Sequence, residues 1–366
     1  MCRAVSTDTC IKQDFQGMSD DSQGMSVEDR EWLASVRPSV TRDKDGHFEV
    51  PLPKAAFDRV PDSLPTARRR LESLRRRFKS GSAYFAAYRR VITSLIEDGY
   101  AVAVPEGEME ADAVWYLPHH GVLEPRKGKL RVVFDCAAKS QGTCLNDLLR
   151  TGPILTNSLI GVLCRFREGS VAFTCDVESM YHRVHVPEAD SNLLRFLWFR
   201  NGDPDGEVQV FRMRSHVFGA VSSGSVASLA LGCCAEEGRD VYPEAADALL
   251  RNTYVDDALC ATDSVQSAVQ LAHGLKELCR NGSFNMTKFT SNSPEFLKQI
   301  PVGDRGKQVK SLDLDKDELV AERVLGMKWE MESDVFTFQF CGGDRPVKRR
   351  GLLSTVGSVS DPLGIV

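Results

Sequence analysis

The sequence predicts an α+β protein, and three observations carry that expectation. Apolar residues recur at three- or four-residue spacing over residues 66–100 and 265–281, the period of amphipathic helices. Short β-type runs stand between them at Lys129–Phe134 and Val171–Thr174. Residues 252–262 read as a hairpin, with Thr253-Tyr254-Val255 and Ala258-Leu259-Cys260 flanking Asp256-Asp257.

The elements follow in order. Residues 1–27 carry Ser, Asp, Gln and Gly with little apolar periodicity and read as a disordered leader. Residues 28–105 form an N-terminal extended and basic helical region. Pro38, Pro51, Pro53 and Asp45-Gly46 predict extended segments and a turn as far as Val60. Leu71, Leu74, Phe78, Tyr84, Tyr88, Val91 and Leu95 then predict two helices broken at Ser80-Gly81 and closed by Gly99. Helices are expected at Ser222–Glu236 and Pro243–Leu250, the latter with its proline where a missing N–H costs nothing. Another is expected at Val265–Asn281, with Ser264 as N-cap and Gly282 as stop. Val324–Phe340 alternates as two strands around Glu332-Ser333-Asp334.

At 366 residues, and about 150 per domain, the chain is expected to fold as two to three packed units. A hydrophobic fraction of 42% with 27% charged residues excludes a mostly disordered chain. Apolar stretches such as Val226–Cys234 are far short of the roughly 20 residues that span a bilayer, and residues 1–21 lack the apolar core of a secretion signal. The expected location is therefore inside the cell, with no membrane partner. Eleven cysteines without a C-x-x-C pair exclude a disulfide framework and a zinc ribbon, and Cys164, Cys175 and Cys260 read as small core residues. His119-His120 and His182-x-x-His185 lack cysteine partners at metal spacing and read as structural. No phosphate-binding G-x-x-x-x-G-K-[ST] loop exists, and no Asp-[ST]-Gly triplet marks an aspartic protease.

A net charge of −5 hides a local concentration of the opposite sign. Between Pro65 and Arg90, eight arginines and Lys79 stand against Glu72 alone. Arg68, Arg69, Arg75, Arg76 and Arg90 are placed to neutralise a nucleic-acid backbone, with a solvated helix face as the competing reading.

The chemistry concentrates in acids. Adjacent carboxylates at a hairpin tip, Asp256 and Asp257, repel each other unless a cation sits between them and a third acid. Asp176, at the end of an apolar strand, supplies that acid. Hard oxygen donors select Mg²⁺ or Mn²⁺, and such a set would hold two ions for in-line phosphoryl transfer.

Five segments appear in a specific order: Trp115-Tyr116-Leu117-Pro118-His119-His120-Gly121-Val122, Leu130-Arg131-Val132-Val133-Phe134-Asp135-Cys136-Ala137, Leu145-Asn146-Asp147, Asp176-Val177-Glu178-Ser179-Met180-Tyr181 and Tyr254-Val255-Asp256-Asp257. In that order they resemble the reverse transcriptase of BEL/Pao-type retrotransposons. The resemblance runs through Gly282–Lys288, Leu325–Trp329 and Leu352-Leu353-Ser354 to Asp361-Pro362-Leu363-Gly364, from about residue 28 to the end.

It implies a right-hand polymerase of the DNA/RNA polymerase superfamily, with fingers and palm over residues 106–300 and the start of a thumb or connection over 301–366. It implies RNA-directed DNA synthesis on a primed RNA or DNA template from deoxynucleoside triphosphates, in a cytoplasmic particle or the nucleus. Asp176 and Asp256 would be the main ligands of two Mg²⁺ or Mn²⁺ ions, with Asp257 a closer or occasional one. Lys129 and Arg131 would hold the triphosphate, and Gly219 would lie under the nucleotide. Tyr181 would exclude a ribose 2′-hydroxyl, which argues against an RNA-directed RNA polymerase. Lys288 resembles the palm lysine suggested as proton donor to the leaving group. The chain departs from the pattern at Gly224, where the family usually has proline, and Phe218 stands where related retroviral enzymes have glutamine. The alternative is a catalytically decayed or host-retained copy that only binds nucleic acid. Ribonuclease H and integrase regions do not fit in the chain, which reads as a polyprotein fragment or truncated gene.

Overall fold

The structure is a computed structural model that describes residues 24–56, 59–124 and 128–337. The leader as far as Gln23, residues 338–340 of the expected last strand, and the Leu352-Leu353-Ser354 and Asp361–Gly364 segments lie outside those residues. The chain divides into two compact units, one of residues 24–155 with Ser179–Ala230, the other of Thr156–Glu178 with residues 231–337.

The first unit opens with a helix where extended chain was expected. Val27–Val36 is helical, the Ser26 side chain accepts the Asp29 N–H at 3.1 Å, and Trp32 and Val36 are buried one turn apart. An acidic first turn and a serine cap outweighed the nearby Pro38, which falls beyond the helix end. The Asp45-Gly46 turn is present, with Gly46 at φ 83°. Helices Leu64–Ser80 and Ser82–Glu97 meet at Gly81 as the periodicity requires. They bury Ala67, Leu71, Leu74 and Phe78 on the first and Tyr88, Ile92 and Leu95 on the second. Their partner is an antiparallel sheet in the order Ala101–Ala103, Val208–Met213, Arg195–Phe199. The last of these strands is buried at every position, so Trp198 stacks on Tyr88 at 5.5 Å and meets Phe78 edge-on at 6.0 Å. Burying each such side chain contributes about 1.5–3 kcal/mol. A separate ladder pairs His119–Glu124 with Lys129–Phe134.

The second unit is built on a four-stranded antiparallel sheet in the order Met286–Ser291, Val171–Val177, Asp257–Thr262, Thr253–Tyr254. Val171–Val177 buries Phe173, Cys175 and Val177, and leaves Thr174 and Asp176 half-buried on the other face. The Val265–Asn281 helix packs on this sheet, begins with Ser264 accepting the Ser267 N–H at 3.1 Å, and ends at Gly282. Helices Ser223–Glu237 and Pro243–Arg251 match their expected spans within one residue. The two strands expected around Glu332-Ser333-Asp334 are present as Met327–Glu330 and Val335–Thr337, and a third, Glu322–Val324, joins them through a turn at Leu325 and Gly326, both at positive φ. Trp329 is buried there against Phe166, with ring centroids 4.8 Å apart.

Among the described residues, Cys164, Cys175 and Cys260 are free thiols. Cys175 and Cys260 are buried as expected, but Cys164 is exposed because it falls on the outer side of the Leu159–Arg165 helix, which buries Val162 and Leu163. Among the described residues, no helix is long and apolar enough to cross a membrane.

Candidate active site

The hairpin turn sits one residue earlier than the sequence suggests. Tyr254 pairs with Asp257, so the two turn residues are Val255 and Asp256, and Asp257 is the first residue of its strand. Val255 takes φ 58°, a conformation normally left to glycine at the first position of such a turn. A β-branched residue held there stores on the order of 1–3 kcal/mol of strain.

That placement brings the acids together. Asp257 is the cross-strand partner of Asp176, and the Val177 N–H donates to the Asp256 carbonyl at 2.8 Å. Asp176 also neighbours Thr287 on its other side. Lys288, next in the chain, sends Nζ to within 2.7 Å of Asp176 Oδ1 and 2.5 Å of Oδ2. Burial pushes the Asp257 carboxyl up to about 6, the like charges of Asp256 and Asp176 add to it, and Lys288 opposes them. Two residues beyond Asp176, the chain is tied to the same strand edge: the Glu178 N–H donates to the Asn285 carbonyl at 2.9 Å, and Asn285 Nδ2 donates to Glu178 Oε2 at 2.8 Å.

Three carboxylates on neighbouring backbone positions are a hard-oxygen donor set suited to a divalent cation, and an ammonium already rests on one of them. Among the described residues, no three His, Cys, Asp or Glu side chains converge into a finished metal cage. With Asp176 turned to Lys288, the set has the chemistry of a cation site without its closed geometry.

The remaining candidates fall in the other unit. Lys129 and Arg131 lie on the outward face of the Lys129–Phe134 strand, where Arg131 pairs with Glu124 at 3.1 Å. Gly219 abuts the end of that strand: at φ 112°, a Cβ there would stand 2.9 Å from the Phe134 carbonyl oxygen. Only glycine tolerates both the angle and the approach. Asn146 clamps this loop, donating to the Gly219 carbonyl at 3.1 Å and accepting the Val221 N–H at 3.0 Å. Sequence reasoning places Asn146 within a motif but assigns it no role. The one signal for that role is a lone amide side chain that could serve a glycine-containing loop. Tyr181 is half-buried and meets Phe218, itself 63% exposed, edge-on at 5.8 Å. Gly224 lies in the first turn of its helix, where an added Cβ would touch nothing within 4 Å.

The arginines divide. Arg68, Arg69, Arg76 and Arg90 are exposed. Arg75 instead pairs with Glu72 at 3.0 Å and lies over the Phe199 ring at 5.0 Å, which commits its guanidinium to packing. Arg70 pairs with Asp135 at 3.1 Å.

No protein-family profile and no curated protein matches the chain. Solved structures do. The foamy viral protease-reverse transcriptase in complex with double-stranded DNA is similar with a TM-score of 0.51 and 12% identity, over 97% of this chain and 52% of that one. The foamy viral protease-reverse transcriptase in complex with an RNA/DNA hybrid gives 0.49 and 12%, over 98% and 40%. A prototype foamy virus protease-reverse transcriptase mutant gives 0.42 and 14%, over 78% and 31%. The chain thus spans about half the length of the first of these proteins. The mixed helix and sheet fold is reverse transcriptase-like.

Proposed function

We propose that this chain is the reverse transcriptase core of a BEL/Pao-type LTR retrotransposon, an RNA-directed DNA polymerase that extends a primer 3′-hydroxyl with deoxynucleoside triphosphates. The observation that carries the reading is the cross-strand pairing of Asp176 with Asp257, with Asp256 in the adjoining turn, on a reverse transcriptase-like fold. In this reading the unit around that sheet is a palm, the unit with the basic helices supplies fingers, and residues 301 onward begin a thumb or connection.

Asp176 and Asp256 would hold two Mg²⁺ or Mn²⁺ ions, with Asp257 as the adjacent ligand. Bound, these ions would supply Lewis acidity toward the primer hydroxyl and the triphosphate. The chain's own residues position the rest. Arg131 and Lys129 offer a guanidinium fork and an ammonium to the triphosphate, for which Arg131 must leave Glu124. Gly219, fixed by Asn146, gives a backbone surface with no side chain to obstruct a nucleotide. Tyr181 presents a ring that crowds a 2′-hydroxyl, and Lys288 keeps an ammonium at the acids. Arg68, Arg69, Arg76 and Arg90 supply charge for the template and primer backbone. The expected setting is a cytoplasmic particle or the nucleus.

The test is primer extension on an RNA template with Mg²⁺. The parent chain should extend, and Asp176→Asn and Asp256→Asn should each abolish extension with an unchanged circular dichroism spectrum. Extension near the parent rate in either variant would sink the assignment. A parent chain that binds primer and template but never extends them would replace it with a nucleic-acid-binding role alone.

A further inference from the structure

Lys288 reaches Asp176 only because its strand is irregular. Thr287 is the cross-strand neighbour of Asp176, so in a regular strand Lys288 would point to the opposite face of the sheet. The register against Val171–Val177 slips between Thr287 and Thr290, and Lys288 takes φ 58°. This bulge turns the side chain back toward the acids, a known use of such insertions.

Stability does not account for the arrangement. The Lys288 side chain is 55% exposed, and an ion pair so open to water contributes at most about 1 kcal/mol. A non-glycine residue in the left-handed region costs about as much or more. What the bulge does provide is a positive charge on both oxygens of the carboxylate that also faces Asp257. Those two oxygens are the ones Asp176 has to offer a divalent cation, and one carboxylate cannot serve both partners fully.

We propose that Lys288 is a latch on the cation site, a resident counter-ion that holds Asp176 when no metal is bound and is displaced when a divalent cation enters. The inference rests on the polymerase reading for the identity of that site. It makes Lys288 a positioning residue that sets how much free cation is needed to assemble the acids. The same contact spares Asp176 and Asp257 from facing each other uncompensated in the interval between ions.

The test uses the full chain and Mn²⁺ alone, followed by electron paramagnetic resonance and thermal melting. Lys288→Met keeps length and the same backbone demand while removing the charge. It should bind Mn²⁺ at least about fivefold more tightly than the parent and melt at a lower temperature in EDTA, so that Mn²⁺ raises its melting temperature by more. Lys288→Arg should restore the parent's weaker affinity. A second measurement needs no variant: labelling of the parent with an amine-reactive reagent, read by mass spectrometry, should modify Lys288 faster once Mg²⁺ is added. Equal Mn²⁺ affinity in parent and Lys288→Met, or Lys288 labelling indifferent to Mg²⁺, would overturn the latch and leave the cation site standing. Failure of both proteins to bind Mn²⁺ would overturn the latch and the cation site together.

Discussion

Asp257 stands directly across the antiparallel ladder from Asp176, and the hydrogen bond from the Val177 N–H to the Asp256 carbonyl fixes the kind of pair they make. Since Val177 and Asp256 occupy a hydrogen-bonded position, Asp176 and Asp257 occupy the next, non-hydrogen-bonded one, where Cα atoms approach to about 4.5 Å and side chains lie closest. Like charges at such a position are destabilising. The sheet holds them together nonetheless, and the strained Val255 turn keeps the register that does so.

The first prediction follows from that conflict. At neutral pH the Asp257 carboxylate is ionised against a pKa raised to about 6, so its charge costs folding free energy. Asp257→Asn should therefore raise the urea midpoint in the absence of metal, corresponding to a gain in unfolding free energy on the order of 1 kcal/mol. Added Mn²⁺ should stabilise the parent more than this variant. A lower midpoint in Asp257→Asn would mean that the carboxylate is a structural hydrogen-bond acceptor.

The second prediction uses the division among the arginines. Replacing exposed Arg68, Arg69 and Arg76 with Gln should weaken primer-template binding alike for all sequences, and each phosphate left without its guanidinium should shallow the log–log salt slope by about 0.7–0.9. Arg75→Gln should leave the slope unchanged and lower stability, because that guanidinium packs on Phe199 and Glu72. A slope unaffected by the triple replacement would make the basic face merely solvated.

Much of this was legible in advance, and the failures share a cause. The Val265–Asn281 helix was readable to the residue, because a serine cap, a 3.6 period and a terminal glycine all agree. Asp176 and the Asp256-Asp257 pair were readable as acids at strand ends. Their register was not, because Val255 adopts a glycine-like angle that no local preference announces, and only pairing of Asp257 with Asp176 enforces it. Lys288 was readable from the resemblance, but its contact with Asp176 was not, because a bulge in one strand is specified by its neighbour. Arg75 read like its neighbours in the basic run because cation–π packing on Phe199 joins residues more than a hundred positions apart.

The third prediction concerns acid. Burial pushes His119, His182 and His216 down to about 4, against backbone hydrogen bonds that act in the opposite direction. Each is neutral in the fold, so below an ordinary pKa of about 6.5 the unfolded chain takes up protons that the folded chain refuses. The stability they confer is present above pH 6.5 and is lost as pH falls toward 4, by up to about 1.4 kcal/mol per histidine per pH unit. Asp257 titrates in the opposite sense, so the profile is best measured in Asp257→Asn. Its urea midpoint should fall between pH 7 and pH 5, and a flat profile would place the three imidazoles in contact with water.

The last prediction concerns sugar choice. Tyr181 lies five residues beyond Asp176, in a short helical turn entered through Ser179 at φ 54°, and its ring meets Phe218 edge-on at 5.8 Å. The ring is half-buried and its neighbour is open to solvent, which is not how the unit's core aromatics Tyr88, Phe196 and Trp198 are placed. A side chain that excludes a hydroxyl works by bulk, adding nothing to the correct substrate and a clash to the wrong one. A side chain that supports the core works by burial, so trimming it should lower stability and the use of every nucleotide together. Tyr181→Val separates these roles. It should raise ribonucleotide relative to deoxyribonucleotide incorporation by at least about tenfold, equivalent to about 1.4 kcal/mol of reduced discrimination, while the urea midpoint changes little. Phe218→Ala, which removes the edge-to-face support, should give a smaller shift in the same direction. A folded, active Tyr181→Val chain with the parent's sugar ratio would assign selectivity to another residue.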